Sequence, residues 1–333
     1  MTWRGEGPPA WSRTMTKTDA EPPAVSIGVP VYNGERLLAR ALDSLCAQTY
    51  ADVEIIISDN ASTDGTEAIC RAYAARHPHI RYHRQPRNLG AAGNFNFVFR
   101  QARGRFFKWA AHDDVLAPGY LAACVEALEA HPDAVLAGTD AGLINDDGSP
   151  LAYDAERRTF IDRYGKSWYW APEPDSGTSS ADPVRRFATL VLRDSWCLEV
   201  FGLIRTEALR RSSLIGSYYG SDKILLAELA TIGRFHKVPE PLFLRGCQPA
   251  QSSYLTPQQQ AAWIRGRQTR SFDQGWMAWH LLRASLRPEL SLPQKLACAG
   301  CVVRHAIKPE KLKRLVVPGP NNYFGIGART ARN

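Results

Sequence analysis

The feature that most constrains this chain is an alternation of buried-strand and amphipathic-helix patterns over its first 140 or so residues. Residues 24–31 (AVSIGVPV) and 53–58 (VEIIIS) are apolar and β-branched with no helical period, which predicts strands buried on both faces. Between them, Leu37, Leu38, Ala41, Leu42 and Leu45 fall on one side of a helix over 35–47. The pattern repeats with a helix over 66–76, a strand over 80–83, a helix over 91–102 and a strand over 105–110. A helix over 118–131 and a strand over 134–138 complete it. Strands alternating with helices through short connections predict an α/β fold: a mostly parallel central sheet with helices on both faces. In such sheets ligands bind at the carboxyl ends of the strands.

After about residue 145 the alternation fails. Residues 146–182, rich in Asp, Gly, Pro, Ser and aromatics, read as a long loop or irregular insertion. Helical patterning returns at 183–192 and 222–230, with strand-like runs at 200–205, 234–238 and 242–245. Residues 257–315 read as helices broken near Pro288 and Pro293. Residues 1–23 carry charges and four prolines but no apolar segment, and read as a disordered leader. No run of 18 apolar residues suggests a spanning helix.

Seven scattered cysteines and no export signal point to reduced thiols in a cytosolic protein. Cys298 and Cys301 form a lone C-x-x-C, best read as two small residues on a buried helix face. The net charge of +8 is concentrated: residues 281–333 hold ten Lys/Arg and two Glu. This basic end suits an anionic membrane surface or a phosphate-bearing acceptor, or is a solvated charged face. Nucleic acid is not among the expected partners.

The residues that follow the strands carry the chemistry. Tyr32 offers a flat face to a base, Asp59 is an acceptor-only group suited to a base N–H, and Glu35 can reach ribose hydroxyls. Ser62, Thr63, Asp64 and Gly65 read better as turn and helix-entry residues. Asp113 and Asp114 follow a buried strand. Adjacent carboxylates repel unless neutralised, and a hard cation such as Mg²⁺ or Mn²⁺, sharing diphosphate oxygens, would do so. No G-x-G-x-x-G follows the first strand and no G-x-x-x-x-G-K-[ST] occurs, which argues against dinucleotide oxidoreductases and P-loop enzymes. A glycine-rich basic loop of the nucleotidyltransferase kind is missing too.

The segments VSIGVPVYNGERLLARALDSLCAQTY, VEIIISDNASTDGT, RNLGAAGNFN and GRFFKWAAHDDVLAPGYL, in this order and spacing, resemble family-2 glycosyltransferases of the GT-A fold. Weaker echoes in EVFGLIRTEAL, GSDKILLAELATIGRF and VPEPLFLR extend the resemblance to about residue 253. It implies a Rossmann-like GT-A domain over 24–253, with a donor half (24–140) and an acceptor half (141–253). A basic, mostly helical extension (254–333) follows. It also implies an inverting transfer of a sugar from a nucleoside-diphosphate sugar to a hydroxyl of a glycan or lipid-linked acceptor, in surface polysaccharide or glycolipid synthesis; the basic extension adds the expectation of a cytoplasmic protein peripheral on the inner membrane face. Pro30, Tyr32, Glu35 and Asp59 would line the nucleoside pocket. Arg87, Asn88, Gly90 and His112 would lie near the donor, and Asp222 would be the catalytic base. Asp113 would be the metal-binding carboxylate, followed by Asp114. Two positions depart from the pattern: Ala111 stands where the first Asp of Asp-x-Asp belongs, and Gln248 where relatives carry a histidine. These departures predict weaker metal binding, or a metal held chiefly by Asp113 and the diphosphate, and suggest the alternative of a non-catalytic nucleotide-sugar binder of the same fold. Trp196, Glu199, Trp168, Tyr169 and Trp170 are candidates to face the acceptor, against the commoner reading of such aromatics as anchors.

Overall fold

The computed structural model describes residues 21–168, 177–192, 197–248, 257–266 and 273–308. The predicted alternation is present as β1 (Val25–Val31), α1 (Leu38–Cys46), β2 (Val53–Asp59), α2 (Thr66–Arg76), β3 (Ile80–Arg84), α3 (Gly90–Arg100) and β4 (Phe106–Trp109). A two-residue strand β5 (Val115–Leu116), α4 (Tyr120–Ala130) and the long β6 (Ala134–Ile144) follow. Next come three short strands, β7 (Ala152–Asp154), β8 (Thr159–Ile161) and β9 (Ser167–Trp168). Then come α5 (Pro183–Leu192), β10 (Leu203–Arg205), α6 (Thr206–Arg210), α7 (Ser221–Ile232) and β11 (Arg234–Gly246). The extension contributes α8 (Pro257–Arg265), α9 (Asp273–Ser285) and α10 (Leu292–Ala306).

Eight strands form one sheet in the order β3-β2-β1-β4-β10-β6-β11-β5. The β1–β2, β2–β3, β1–β4 and β6–β11 pairs are parallel; β10 and β5 run against their neighbours. Strand alternation distributes side chains between two cores. Ile55 and Ile57 join Val29, Leu42 and Leu121 on the face covered by α1, α2 and α4. Ile56 joins Val98, Phe107, Trp109 and Leu225 on the face covered by α3 and α7. Each such side chain contributes roughly 1.5–3 kcal/mol by leaving water. Gly28 lets α3 lie close on β1, since a Cβ there would sit 2.5 Å from Val98 Cγ2.

Three expectations are corrected. The segment after residue 145 is not simply irregular: β7, β8 and β9 form an antiparallel meander, with Trp168 buried and its Nε1 donating to Asp162 Oδ2 at 2.9 Å. Trp168 is therefore a core anchor and no platform for a sugar; Tyr169, Trp170 and Trp196 lie outside the described residues. The two runs at 234–238 and 242–245 are one strand, β11, whose register against β6 shifts between Val238 and Phe243, around Pro239 and Pro241. Pro293 does not separate helices but sits in the first turn of α10, where Ser291 N–H donates to Gln294 Oε1 at 2.9 Å.

The extension shares a core with α5 and α7. Phe187, Val191, Ile224 and Ala227 pack with Met277, Leu281, Leu290, Cys298 and Cys301, so both thiols of the C-x-x-C are buried as predicted.

Candidate active site

The carboxyl edge of β1, β2 and β4 carries three loops that are tied to one another. In the β1–α1 loop, Asn33 takes a left-handed conformation (φ 50°). Its backbone N–H donates to Ser62 Oγ at 2.9 Å, and its side-chain oxygen accepts Thr63 N–H at 2.9 Å. Gly34 N–H donates to Thr66 Oγ1 at 2.9 Å, and Glu35 Oε2 accepts Gly65 N–H at 3.0 Å. Asp64 Oδ1 accepts Thr66 N–H at 3.1 Å at the entrance of α2, so Ser62 to Gly65 are turn and entry residues, as read. Tyr32 stands 41% exposed at the rim, its ring open to a flat ligand, while Pro30 lies in buried β1.

His112 reaches the same place from β4. A Cβ on Gly34 would lie 3.0 Å from His112 Cδ2, so the missing side chain at 34 is what lets the two loops touch. The β3–α3 loop is joined through a pair of amides. Asn60 Nδ2 donates to Asn88 Oδ1 at 3.0 Å, Asn60 Oδ1 accepts Leu89 N–H at 2.8 Å, and Asn88 Oδ1 accepts Gly90 N–H at 2.7 Å. Gly90 holds φ +73°, which a side chain would strain. Arg87 is exposed on this loop.

Asp59 is fully buried and engaged by its own protein. Oδ1 accepts Ser62 N–H at 2.8 Å, and Oδ2 accepts Tyr82 Oη–H at 3.0 Å and Arg84 Nη1–H at 2.8 Å. Arg84 also pairs with Glu67 at 2.9 Å and donates to Ser62 O at 3.0 Å. Three of roughly four acceptor positions of the carboxylate are thus used. Asp59 shapes the β2 loop and presents at most one lone pair outward. Tyr82 and Arg84 carried no signal in the sequence; their alternation on β3 reads only as a strand. Beneath them Ser58, Gln85 and Asn94, all buried, close a further network, with Ser58 Oγ–H donating to Asn94 Oδ1 at 2.6 Å and Gln85 Nε2–H to Ser58 Oγ at 2.9 Å.

Asp113 and Asp114 follow β4, two strands from β2 in the sheet and hence about 10 Å across it at the usual strand spacing. The end of β11 presses against them. Gly246 N–H donates to Asp114 Oδ1 at 3.0 Å, and a Cβ on Gly246 would come within 2.3 Å of Asp113 O. Gln248 Nε2 donates to Asp113 Oδ2 at 2.9 Å, so the residue where the resemblance leads one to expect a histidine touches the predicted metal carboxylate. Burial, then the charge of Asp113, pushes the Asp114 carboxyl well above the ordinary range. A carboxyl in that condition favours a cation at its side, and two carboxylates with an amide oxygen one rotation away are a hard, oxygen-rich donor set.

Lys108, in the middle of β4, was not anticipated as part of this neighbourhood. It is fully buried, donates to Phe201 O, and lies 4.5 Å from the centre of the Tyr120 ring. Burial lowers its pKa to about 8, while the charge of Asp114 acts in the opposite direction.

Asp222 is carried separately, in the first turn of α7. The helix is capped by Gly220 in a left-handed conformation (φ 78°), so Asp222 is not its N-cap. Its Oδ1 accepts Lys223 N–H at 2.8 Å, and burial raises its pKa. The preceding loop docks on α3, where Ile215 N–H donates to Asn96 Oδ1 at 3.1 Å, and on the extension, where Arg265 Nε donates to Ser217 O at 2.8 Å.

Residues 26–187 match Glycosyl transferase family 2. A Rickettsia felis protein named uncharacterized glycosyltransferase is 34% identical over 135 residues, 39% of this chain and 22% of that protein. Chondroitin synthase of Escherichia coli is 35% identical over 104 residues, 31% of this chain and 15% of that protein. The chain's matches thus span 14 to 42% of the length of such relatives. Among solved structures, residues 1–349 of TarS from S. aureus superpose with a TM-score of 0.59 at 16% identity, over 88% of this chain and 74% of that one. The same protein in complex with UDP-GlcNAc gives 0.58 at 17% identity, over 88% of this chain and 78% of that one. At such identity the superposition shows a shared fold, the GT-A arrangement of sheet and helices. The family match covers the stretch that carries the strand-end loops, so residues 26–187, just under half of the chain, are similar to glycosyltransferase family 2 within a fold of the GT-A type.

Proposed function

We propose that the chain is an inverting glycosyltransferase that takes a sugar from a nucleoside-diphosphate sugar to an acceptor hydroxyl. The observation that carries this reading is the Asp113–Asp114 pair, held by Gly246 and Gln248 at the edge where the β1, β2 and β3 loops meet. In this reading Tyr32 stacks on the base, and Glu35, Asp59 and His112 serve the nucleoside. Arg87, Asn88 and Gly90 serve the diphosphate side. Asp113 and Asp114 would hold Mg²⁺ or Mn²⁺, with the Gln248 amide turned to offer its oxygen. Such an ion would neutralise charge on the leaving diphosphate. Asp222 takes the acceptor hydroxyl proton as that oxygen bonds to the anomeric carbon, while the bond from that carbon to the diphosphate oxygen breaks. Burial keeps the Asp222 carboxyl more basic than a free one, which suits a base.

Ala111 and the Gln248–Asp113 bond favour a second reading, a binder whose carboxylate is satisfied internally. Donor hydrolysis separates the two. Across a panel of nucleoside-diphosphate sugars with Mn²⁺, the wild type should hydrolyse one donor slowly. Asp222→Asn should lose about 100-fold or more, the usual share of a general base, while binding the donor equally. Equal hydrolysis by both proteins would leave the binder.

The acceptor in this reading is a glycan or lipid-linked glycan met at an anionic membrane surface. Supporting this, α10 exposes Leu292 (69%), Leu296 (66%), Val303 (57%) and Ile307 (58%) along one stripe opposite its buried Cys298 and Cys301. Exposed Arg304 lies on the same helix, within the basic end of the sequence. No helix among the described residues is long and apolar enough to cross a membrane.

A further inference from the structure

At the edge of the sheet opposite the donor loops, three side chains with no place in the reaction come together. Cys46 ends α1, His77 directly follows α2, and His79 leads into β3. Among the described residues, one ligand atom from each of Cys46, His77 and His79 lies within 4.8 Å of the other two. The grouping is built by the chain. His77 leaves α2 in an extended conformation (φ −126°, ψ 100°), as a residue before proline must. Ile80 N–H then donates to His77 O at 2.9 Å, closing a turn with Pro78 at its second position, the place proline favours. The turn sets the two imidazoles 5.7 Å apart, centre to centre, at 68°.

We propose that Cys46, His77 and His79 bind Zn²⁺, with water in the fourth position, as a site separate from the donor pocket. A thiolate and two imidazoles are the borderline-soft donors zinc prefers, unlike the all-oxygen set at Asp113 and Asp114. Around tetrahedral zinc the ligand atoms stand about 3.3–3.6 Å apart, given its bond lengths. The three ligand atoms, all within 4.8 Å of one another, would close by the order of 1 Å around the ion. Two helices, α1 and α2, end here, and their carbonyl ends favour a cation. The charges acting on Cys46 are Asp43 and Arg76. Asp43 accepts Tyr73 Oη–H at 2.5 Å, and the Arg76 guanidinium lies over the Tyr73 ring at 4.5 Å. Bound zinc would staple the end of α1 to the α2–β3 turn.

The test uses the full chain, stripped with a chelator and titrated with Co²⁺ as a spectroscopic stand-in. One equivalent should produce a thiolate-to-cobalt charge-transfer band, and Zn²⁺ should bleach it. Cys46→Ser and His79→Ala should each abolish the band and weaken Zn²⁺ binding by more than about 100-fold, beyond what losing an outer-shell partner costs. His79 is exposed on its turn, so that variant folds even if Cys46→Ser does not. Asp113→Asn should keep the band, which makes the result independent of the donor-site reading. No band at one equivalent, or a band that survives in either variant, overturns the proposal; survival in Cys46→Ser would mean that one of the other six cysteines supplies the thiolate.

Discussion

Gly246→Ala tests whether the end of β11 sets the position of the Asp113–Asp114 pair. The new Cβ would meet Asp113 O at 2.3 Å, against 3.4 Å for ordinary contact, so strand and loop must part by 3.4 − 2.3 = 1.1 Å. The obstacle is backbone on both sides, with no flexible side chain to turn aside. Overpacking of this kind costs about 1–3 kcal/mol. Parting also stretches the 3.0 Å bond from Gly246 N–H to Asp114, and a hydrogen bond to a buried charge is worth about 1.5–3 kcal/mol. Both costs arise from one contact and do not fully add, so a loss of about 2–4 kcal/mol follows. For a chain of this size that lowers Tm by about 3–6 °C. Donor hydrolysis should fall about 100-fold, the effect of a displacement near 1 Å at a reacting centre. Gly138→Ala is the control, since a Cβ there meets nothing within 4 Å. A Gly246→Ala protein that melts with the wild type and hydrolyses donor at the same rate would refute the argument that this contact positions the carboxylates.

Two further outcomes follow from Asp222 and α10. Burial raises the folded-state pKa of Asp222 above its unfolded value. Between the two values the folded protein keeps a proton that the unfolded chain has lost, so stability falls as pH rises through that window. Asp222→Asn should therefore be more stable than wild type at neutral pH, with the gap closing below the unfolded value of about 3.9; a denaturant series across pH that shows no such closing contradicts it. Replacing Leu292, Leu296 and Val303 together by Glu should abolish flotation with anionic vesicles, because each lost apolar side chain removes about 1 kcal/mol or more of insertion energy. Flotation unchanged by the triple change would dismiss α10 as the contact.

The sheet was legible because its central strands are buried on both faces. Val25–Val31 and Val53–Asp59 are built on β-branched apolar stretches, Ile55–Ile57 above all, and such a stretch between amphipathic helices has few other readings. The meander of β7, β8 and β9 was not legible, since strands of two or three residues are too short to establish a period. The site divides the same way. Its acidic and turn residues announce themselves at strand ends, but their partners do not. Tyr82 and Arg84 reach Asp59 from a neighbouring strand, Gly246 reaches Asp113 from more than 130 residues away, and Lys108 looks in sequence like an interruption of a strand. Such pairings are set by register and sheet order, which local periodicity does not encode. Cys46 and the His77-Pro78-His79 turn were unreadable for the same reason.

The extension gives that long-range dependence a consequence for the site itself. Gly90 and Gly266 meet backbone to backbone: a Cβ on Gly90 would lie 2.5 Å from Arg265 C and from Gly266 N, and one on Gly266 would lie 2.7 Å from Gly90 N. Both residues hold positive φ, +73° and +68°, so a substitution at either is opposed twice, by strain and by space. The same extension places Met277 Cε 2.2 Å from where a Cβ on Gly220 would be, at the cap of the helix that carries Asp222. One segment thus braces the Asn88–Gly90 loop at one end and the Asp222 turn at the other. The basic extension is therefore a structural part of the candidate site, and a change in how α8 and α9 pack would be felt at both loops together.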